Sequence, residues 1–123
     1  MTNLAASFTF SGIVQRNLGR GRELGYPTAN VFIPLDLPDG LFLGYTHLDS
    51  RILPSLVFIG PNVTFDETDK KAEVYILDFN EDIYGKNIHV EVVKKLRDGV
   101  KFTTVDALIA QMKQDELEAR KFF

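Results

Sequence analysis

Regularly spaced turn signals constrain this chain more than any other feature of its sequence. Clusters of Gly, Pro, Asn and Asp separate short segments that are rich in Val, Ile, Phe and Tyr, a pattern typical of β-strands joined by tight links. We predict strands near 7–16, 28–33, 40–48, 51–59, 71–79 and 87–96. Because no helical segment separates them, and because closure removes exposed sheet edges, the pattern predicts a mainly β fold: a six-stranded antiparallel closed barrel.

The hydrophobic period changes near the C-terminus. Val105, Leu108 and Met112 recur at helical spacing, and Thr103 with Asp106 resembles a capping box. We predict one α-helix from 104 to 121, with an apolar stripe that seals one end of the barrel. No repeat or linker interrupts the sequence, so residues 1–123 are predicted to form a single domain.

Composition excludes several classes of function. The formal net charge of −3 provides no general field for polyanions, so we expect no nucleic-acid partner. No apolar run is long enough to span a membrane. The absence of Cys removes thiolate chemistry, and two histidines, His47 and His89, are too few for a His-based zinc site. Without a visible secretory signal, we expect a cytoplasmic protein.

A Gly-rich, Arg-bearing segment is the first candidate binding element. Four of the nine glycines lie between Gly12 and Gly25, interleaved with Arg16, Arg20 and Arg22. Backbone N–H groups in such a loop can surround an anion while guanidinium groups bind phosphate oxygens. The spacing matches neither the dinucleotide fingerprint nor the Walker loop. On these residues alone, a phosphate-binding loop and a solvated hairpin are equally good interpretations.

The second candidate element is Gly25-Tyr26-Pro27-Thr28-Ala29-Asn30. Pro27 favours an extended conformation before it, and in an extended chain Thr28 and Asn30 project to the same face. Hydroxyl and amide oxygens suit Mg²⁺ when phosphates complete its coordination. Spacing alone favours ordinary strand and turn roles for both residues, with a magnesium site as the alternative.

Taken together, these segments resemble the riboflavin kinase family, whose domain also occurs in bifunctional bacterial FAD synthetases. The resemblance extends over nearly the whole chain and rests on Gly12-Ile13-Val14, the run from Gly19 to Asn30, Glu73-Val74, Leu77-Asp78-Phe79, the run from Asp82 to Lys86, Leu96-Arg97, Lys101-Phe102, Gln111, Asp115 and Ala119-Arg120. It implies a six-stranded barrel with a C-terminal helix. It also implies a phosphotransferase that uses ATP, with Mg²⁺ or another divalent metal, to phosphorylate the 5′-hydroxyl of riboflavin and release FMN and ADP.

The resemblance also implies roles for individual residues. Glu73 would be the general base, and Thr28 and Asn30 would hold the metal. The nucleotide-binding residues would be Arg16, Gly19, Arg20, Gly21, Arg22, Thr28, Asn30, Ile83 and Tyr84, and the flavin-binding residues Arg97 and Phe102. Without the resemblance, Glu73 would be interpreted as a solvent-facing residue at the start of a strand, beside Lys70 and Lys71.

Two departures from the family pattern leave an alternative open. Asn17 replaces a Gly of the first loop, and Gly99 replaces a Glu in the flavin-closing segment. The alternative is a non-catalytic module that binds flavin or nucleotide on the same barrel; a protein-binding adaptor is a weaker third hypothesis. We expect a monomer whose partners are riboflavin or FMN and ATP or ADP. Because only eleven residues precede Gly12, we expect FMN and no FAD as the product.

Overall fold

The computed structural model describes residues 8–15, 28–33, 36–61, 70–99 and 102–123. Within these ranges the chain forms six strands and one helix. They are β1 (Phe8–Ile13), β2 (Ala29–Ile33), β3 (Gly40–Leu48), β4 (Arg51–Pro61), β5 (Lys70–Ile76), β6 (Asn87–Arg97) and α1 (Val105–Phe122). The predicted order of elements is confirmed, and the predicted bounds differ from these by a few residues at most.

The strands form one sheet that nearly closes on itself. Among the described residues, neighbouring strands pair antiparallel in the order β1-β6-β3-β4-β5-β2. The two strands at the ends of this order, β1 and β2, approach each other just after β1, where the N–H of Gln15 donates to the carbonyl of Asn30 at 2.7 Å. A Cβ atom on Gly12 would lie 2.5 Å from Cγ1 of Val31, so only glycine allows this approach. This seam produces the predicted barrel.

Alternate side chains of the strands fill the barrel. On β5, Ala72, Val74 and Ile76 are buried, and the residues between them are partly exposed. The inner cluster also draws on the other strands, with Phe10, Val31, Phe42, Val57, Ile59, Ile88, Val90 and Val92 among its members. Odd-numbered residues of β5 therefore face away from this core.

Helix α1 lies against the outer wall of the barrel. Ala119 packs with Leu41 and Leu43 of β3 and with Leu56 of β4 in a second apolar cluster. Leu41 and Leu43 flank Phe42, which points into the inner cluster, so both leucines point outward. The prediction that the helix seals a barrel end is therefore wrong, because the leucines that receive it point out of the barrel.

The start of α1 also differs by one residue from the predicted capping box. Thr104 is the N-cap: its backbone is extended, and its hydroxyl accepts from the N–H of Ala107 at 3.1 Å. A capping hydroxyl satisfies a donor of the first turn that has no partner within the helix, and Thr104 is the threonine placed to do so. Among the described residues, no helix combines the length and apolar character needed to cross a membrane.

Candidate active site

Three predicted residues come together on the outward side of β2 and β5. Asn30 lies directly opposite Glu73 in the strand register, and the hydroxyl of Thr28 donates to Oε1 of Glu73 at 3.3 Å. Residues two apart on a strand, and residues directly opposite across a pair, share a face. The fold thus places a hydroxyl, an amide and a carboxylate side by side.

Asn30 is buried in a way that suggests a ligand. Its side chain is 4% exposed, and its Nδ2 atom has no hydrogen-bond partner among the described residues. An unpaired buried polar atom costs about 1–3 kcal/mol. A phosphate oxygen could accept from this nitrogen, while the amide oxygen remains available to a cation.

The oxygen donors of this cluster fit a magnesium ion that also binds phosphates. Thr28 and Asn30 offer hard oxygen ligands, which Mg²⁺ prefers, and it commonly takes only one or two from protein. In the part of the chain that the structure describes, no group of three or more His, Asp or Glu side chains could hold a metal by itself. Substrate phosphates and water are the ligands that commonly complete such a site.

Two cavities among the described residues share Thr28 as a lining residue. The first cavity, of about 270 Å³, is lined by Val14, Thr28, Ala29, Val74, Ile76, Phe79, Asn80, Glu81, Asp82, Ile83 and Tyr84. The second cavity, of about 90 Å³, lies between the outer wall and α1 and is lined by Thr28, Leu41, Leu56, Phe58, Glu73, Tyr75, Met112 and Asp115. Ligands in the two cavities would therefore approach each other at Thr28.

The first cavity is lined by Ile83 and Tyr84, which the resemblance assigns to nucleotide binding. Ile83 is buried against the inner core, and Tyr84 is half-buried beside it. Two carboxylates share this wall. The N–H of Tyr84 donates to the carboxylate of Asp82 at 3.1 Å. Arg51 forms a bidentate ion pair with Glu81. The hydrogen bond from Arg51 lowers the pKa of the Glu81 carboxyl.

The second cavity borders the predicted flavin-binding segment. Arg97, at the end of β6, donates to both carboxylate oxygens of Asp115 at 2.9 and 2.7 Å, and Gln111 donates to the same carboxylate at 2.9 Å. Asp115 is buried and lines the cavity, so Arg97 reaches the cavity wall through it. Phe102 is half-buried ahead of α1 and is not among the described residues that line either cavity.

The remaining predicted site residues fall elsewhere. Arg16, Gly19, Arg20, Gly21 and Arg22 lie outside the described residues, as does Asn17, so the phosphate loop stays a prediction from the sequence. Gly99 is exposed, and a Cβ atom there would lie 3.6 Å from Phe58. The substitution at position 99 therefore adjoins the second cavity.

Several lining residues received no role from the sequence. Asp115 did carry a signal, because it lies between Met112 and Ala119 on the face of the helix that packs inward, where a carboxylate needs a partner. Glu81 carried none, because its partner Arg51 lies 30 residues away. Phe58 and Tyr75 could not be distinguished by pattern from other outward strand residues.

The fold and the site define a small β-barrel protein in which a cluster of oxygen donors includes Thr28, the residue shared by two adjoining cavities. The model of the riboflavin kinase family, also called flavokinase, matches residues 4–123. The chain belongs to the riboflavin kinase family.

Individual relatives agree with this membership. The riboflavin kinase of Homo sapiens is 34% identical over 119 residues, which are 89% of this chain and 77% of the relative. A bifunctional riboflavin kinase/FMN adenylyltransferase of Listeria monocytogenes is 36% identical over 124 residues, which are 98% of this chain and 40% of the relative. The chain therefore spans less than half the length of such bifunctional relatives. The crystal structure of a riboflavin kinase from Trypanosoma brucei has the same fold, with a TM-score of 0.70 at 21% identity over 99% of this chain and 82% of that one.

Proposed function

We propose that this chain is an ATP-dependent riboflavin kinase that transfers the γ-phosphoryl group of ATP to the 5′-hydroxyl of riboflavin, giving FMN and ADP. The observation that carries the proposal is that two cavities adjoin at Thr28, with Glu73 on the wall of one of them. Phosphoryl transfer requires donor and acceptor in line, neutralised phosphate charge and a group to orient the nucleophile. Membership of the family supports the choice of substrates.

The first cavity is proposed to bind ATP. Its apolar lining by Val14, Ile76 and Ile83 suits the faces of a planar base, and the polar groups of residues 80–84 suit its edge. The phosphates would then extend toward Thr28 and Asn30. The sequence predicts that the loop contributes Arg16, Gly19, Arg20, Gly21 and Arg22 around these phosphates.

The second cavity is proposed to bind riboflavin. Apolar and aromatic side chains of both the barrel wall and α1 surround it, as is typical of sites for flat, weakly polar rings. At about 90 Å³ it holds only part of a flavin, so the remainder would lie along the outer wall beside Gly99. Arg97 and Phe102 belong to this side of the site in the proposal.

Glu73 is proposed to accept the proton of the 5′-hydroxyl. Its carboxylate lines the second cavity and receives a hydrogen bond from Thr28, which fixes the orientation of one oxygen. A general base must lie within hydrogen-bond reach of the proton that it removes. A ribityl chain that runs from the second cavity toward Thr28 would bring its terminal hydroxyl past this carboxylate.

Thr28 and Asn30 are proposed to hold Mg²⁺, or another divalent metal, together with the phosphates. When bound, the metal neutralises the charge that develops on the transferred group. We further propose that the protein acts in the cytoplasm as a monomer. A binding module without turnover is not favoured, because the carboxylate of Glu73 accepts from Thr28, the residue at which the two cavities adjoin.

The proposal is tested by incubating the purified protein with riboflavin and Mg-ATP and separating the products by chromatography. We expect FMN to accumulate in proportion to enzyme, to stop when EDTA is added, and to resume with excess Mg²⁺. If no FMN forms with Mg²⁺, Mn²⁺ or Zn²⁺ while riboflavin still binds, the kinase proposal is wrong and the binding module replaces it.

A further inference from the structure

The turn between β3 and β4, together with Arg51 at the start of β4, contacts the loop that forms one wall of the first cavity. This cavity loop comprises residues 77–86. Arg51 donates from Nη1 to Oε2 of Glu81 at 2.6 Å and from Nη2 to Oε1 at 3.0 Å. The same guanidinium lies over the ring of Phe79, 5.6 Å from its centroid. Because Glu81 and Phe79 both line the cavity, one arginine contacts two lining residues.

A second ion pair joins the same two segments. Lys86, at the end of the cavity loop, approaches Asp49 of the turn at 3.4 Å. The four charges therefore alternate, with Asp49 of the turn and Arg51 at the start of β4 facing Glu81 and Lys86 of the cavity loop. Consistent with this arrangement, Glu81 and Asp49 raise the pKa of Arg51, and Arg51 and Lys86 lower the pKa of Glu81.

Backbone hydrogen bonds tie both ends of the cavity loop to the barrel, and at its start Leu77 donates to the carbonyl of Pro54 at 3.0 Å. Gly85 donates to the carbonyl of Val14 at 2.9 Å, and Val14 donates to the carbonyl of Lys86 at 2.9 Å. Arg51 instead contacts the part of the loop between these ends, through the side chains of Phe79 and Glu81. The arginine therefore supports the part of the wall that the backbone bonds of Val14 do not reach.

Arg51 also affects the electrostatics of the first cavity. Glu81 and Asp82 place two carboxylates on the wall of a cavity that is proposed to bind a polyanion, and like charges at short distance repel. Asp82 accepts from the N–H of Tyr84, which partly compensates its charge. Arg51 supplies a full counter-charge to Glu81.

We propose that Arg51 is a positioning residue for the nucleotide: through Glu81 and Phe79 it fixes the wall of the first cavity and offsets a charge that would oppose the phosphates. This inference rests on the proposed function, since it takes the first cavity as the nucleotide site. Arg51 is not among the described residues that line the cavity, so it acts through its two partners.

The kinetic test compares Arg51→Gln with Lys94→Gln, a matched control in which another cation lies over an exposed ring, 5.5 Å from the centroid of Phe122. In Arg51→Gln we expect the KM for ATP to rise about three- to ten-fold, with kcat and the KM for riboflavin within about two-fold of wild type. Lys94→Gln should change none of these. In a Glu81→Gln background, Arg51→Gln should have a smaller effect, because the pair is already broken.

Amide hydrogen exchange of the free protein tests the same contact without any nucleotide. Peptides that cover residues 79–82 should exchange at least about three-fold faster in Arg51→Gln than in wild type, and not in Lys94→Gln. Unchanged exchange overturns the inference whether or not FMN is formed, as does an equal rise in KM for both substrates. Faster exchange in a protein that makes no FMN contradicts the proposed function instead.

Discussion

Glu73 owes its position to the alternation of β5. Its neighbours Ala72 and Val74 point into the barrel, so its carboxylate emerges on the outer wall, where Thr28 donates to it. A carboxylate placed in this way lines the second cavity and can meet a hydroxyl there. The proposed role of Glu73 can be tested with a substitution that keeps the size and shape of its side chain.

Glu73→Gln is expected to lower kcat by about 10²–10⁴-fold, the usual contribution of a positioned general base. Binding of riboflavin and ATP should change much less, because the amide keeps the size of the side chain and can still accept from Thr28. Steady-state kinetics and calorimetric binding measure the two effects. The matched control is Glu91→Gln, on an exposed strand position beside His47. A Glu73→Gln enzyme with kcat within threefold of wild type would exclude this residue as the base.

At the residue scale, the sequence predicts what is local. Thr28 and Asn30 share a face because they lie two residues apart, and the family resemblance adds Glu73. Arg51 and Glu81 are remote in the chain, and nothing near either residue indicates the other. Their pairing depends on how two turns meet in space, which periodicity does not describe.

At the scale of elements, an ion pair between the half-buried Arg97 and the buried Asp115 holds α1 to the barrel in addition to its apolar contacts. The Asp115 side chain is 7% exposed and that of Arg97 24%, and Gln111 completes the carboxylate's hydrogen bonds. The pair joins the end of β6 to the middle of the helix. It therefore contributes to the position of α1 relative to the barrel, and α1 forms one wall of the second cavity.

Arg97→Leu should destabilise the protein by about 3–5 kcal/mol, because it leaves a buried carboxylate without its counter-charge. Adding Asp115→Leu should recover much of this loss, since the unpaired charge is then removed as well. Urea unfolding of the single and double variants measures both effects, and Lys121→Gln on the exposed side of the helix serves as the control. If the double variant is no more stable than Arg97→Leu, the unpaired charge is not the cause of the loss.

The elements themselves were predictable because each has a strong local period. The position of α1 was not, since an apolar stripe shows that a helix packs but not against which surface. Only the outward direction of Leu41 and Leu43 distinguishes the wall from the barrel end. The N-cap of α1 was not predictable from the sequence for a similar reason: Thr103 and Thr104 are adjacent, and either threonine can cap a helix.

At the scale of the whole molecule, ion pairs join segments that are distant in the chain. Arg120 of α1 donates to both oxygens of Asp78, in the turn after β5, at 3.1 and 3.0 Å, and also to Glu116. The hydrogen bond from Arg120 lowers the pKa of Asp78 below its ordinary value of 3.8. Hydrogen bonds from Arg51 and Lys95 lower the pKa values of Glu81 and Asp98 in the same way.

These shifts predict how stability depends on pH. A carboxyl whose pKa is lower in the folded state stabilises that state fully above its unfolded pKa and loses the effect as the pH falls through the folded pKa. We expect the unfolding free energy to hold down to about pH 5 and to decline below about pH 4. In Arg120→Gln this decline should be shallower, whereas Lys113→Gln, at an exposed helix position, should match wild type. Urea titrations between pH 3 and 7 measure the slopes, and identical slopes in wild type and Arg120→Gln would contradict the prediction.

The alternation of side chains along β5 also limits which insertions and deletions this strand can tolerate. Ala72, Val74 and Ile76 of this strand build the core, whereas Glu73 and Tyr75 between them line the second cavity. Deleting a single codon within the strand would shift every following side chain to the opposite face. Glu73 and Tyr75 would then exchange environments with core residues, so stability and chemistry would be lost in the same event. Substitutions can separate the two properties in β5; the insertion or deletion of a single codon cannot.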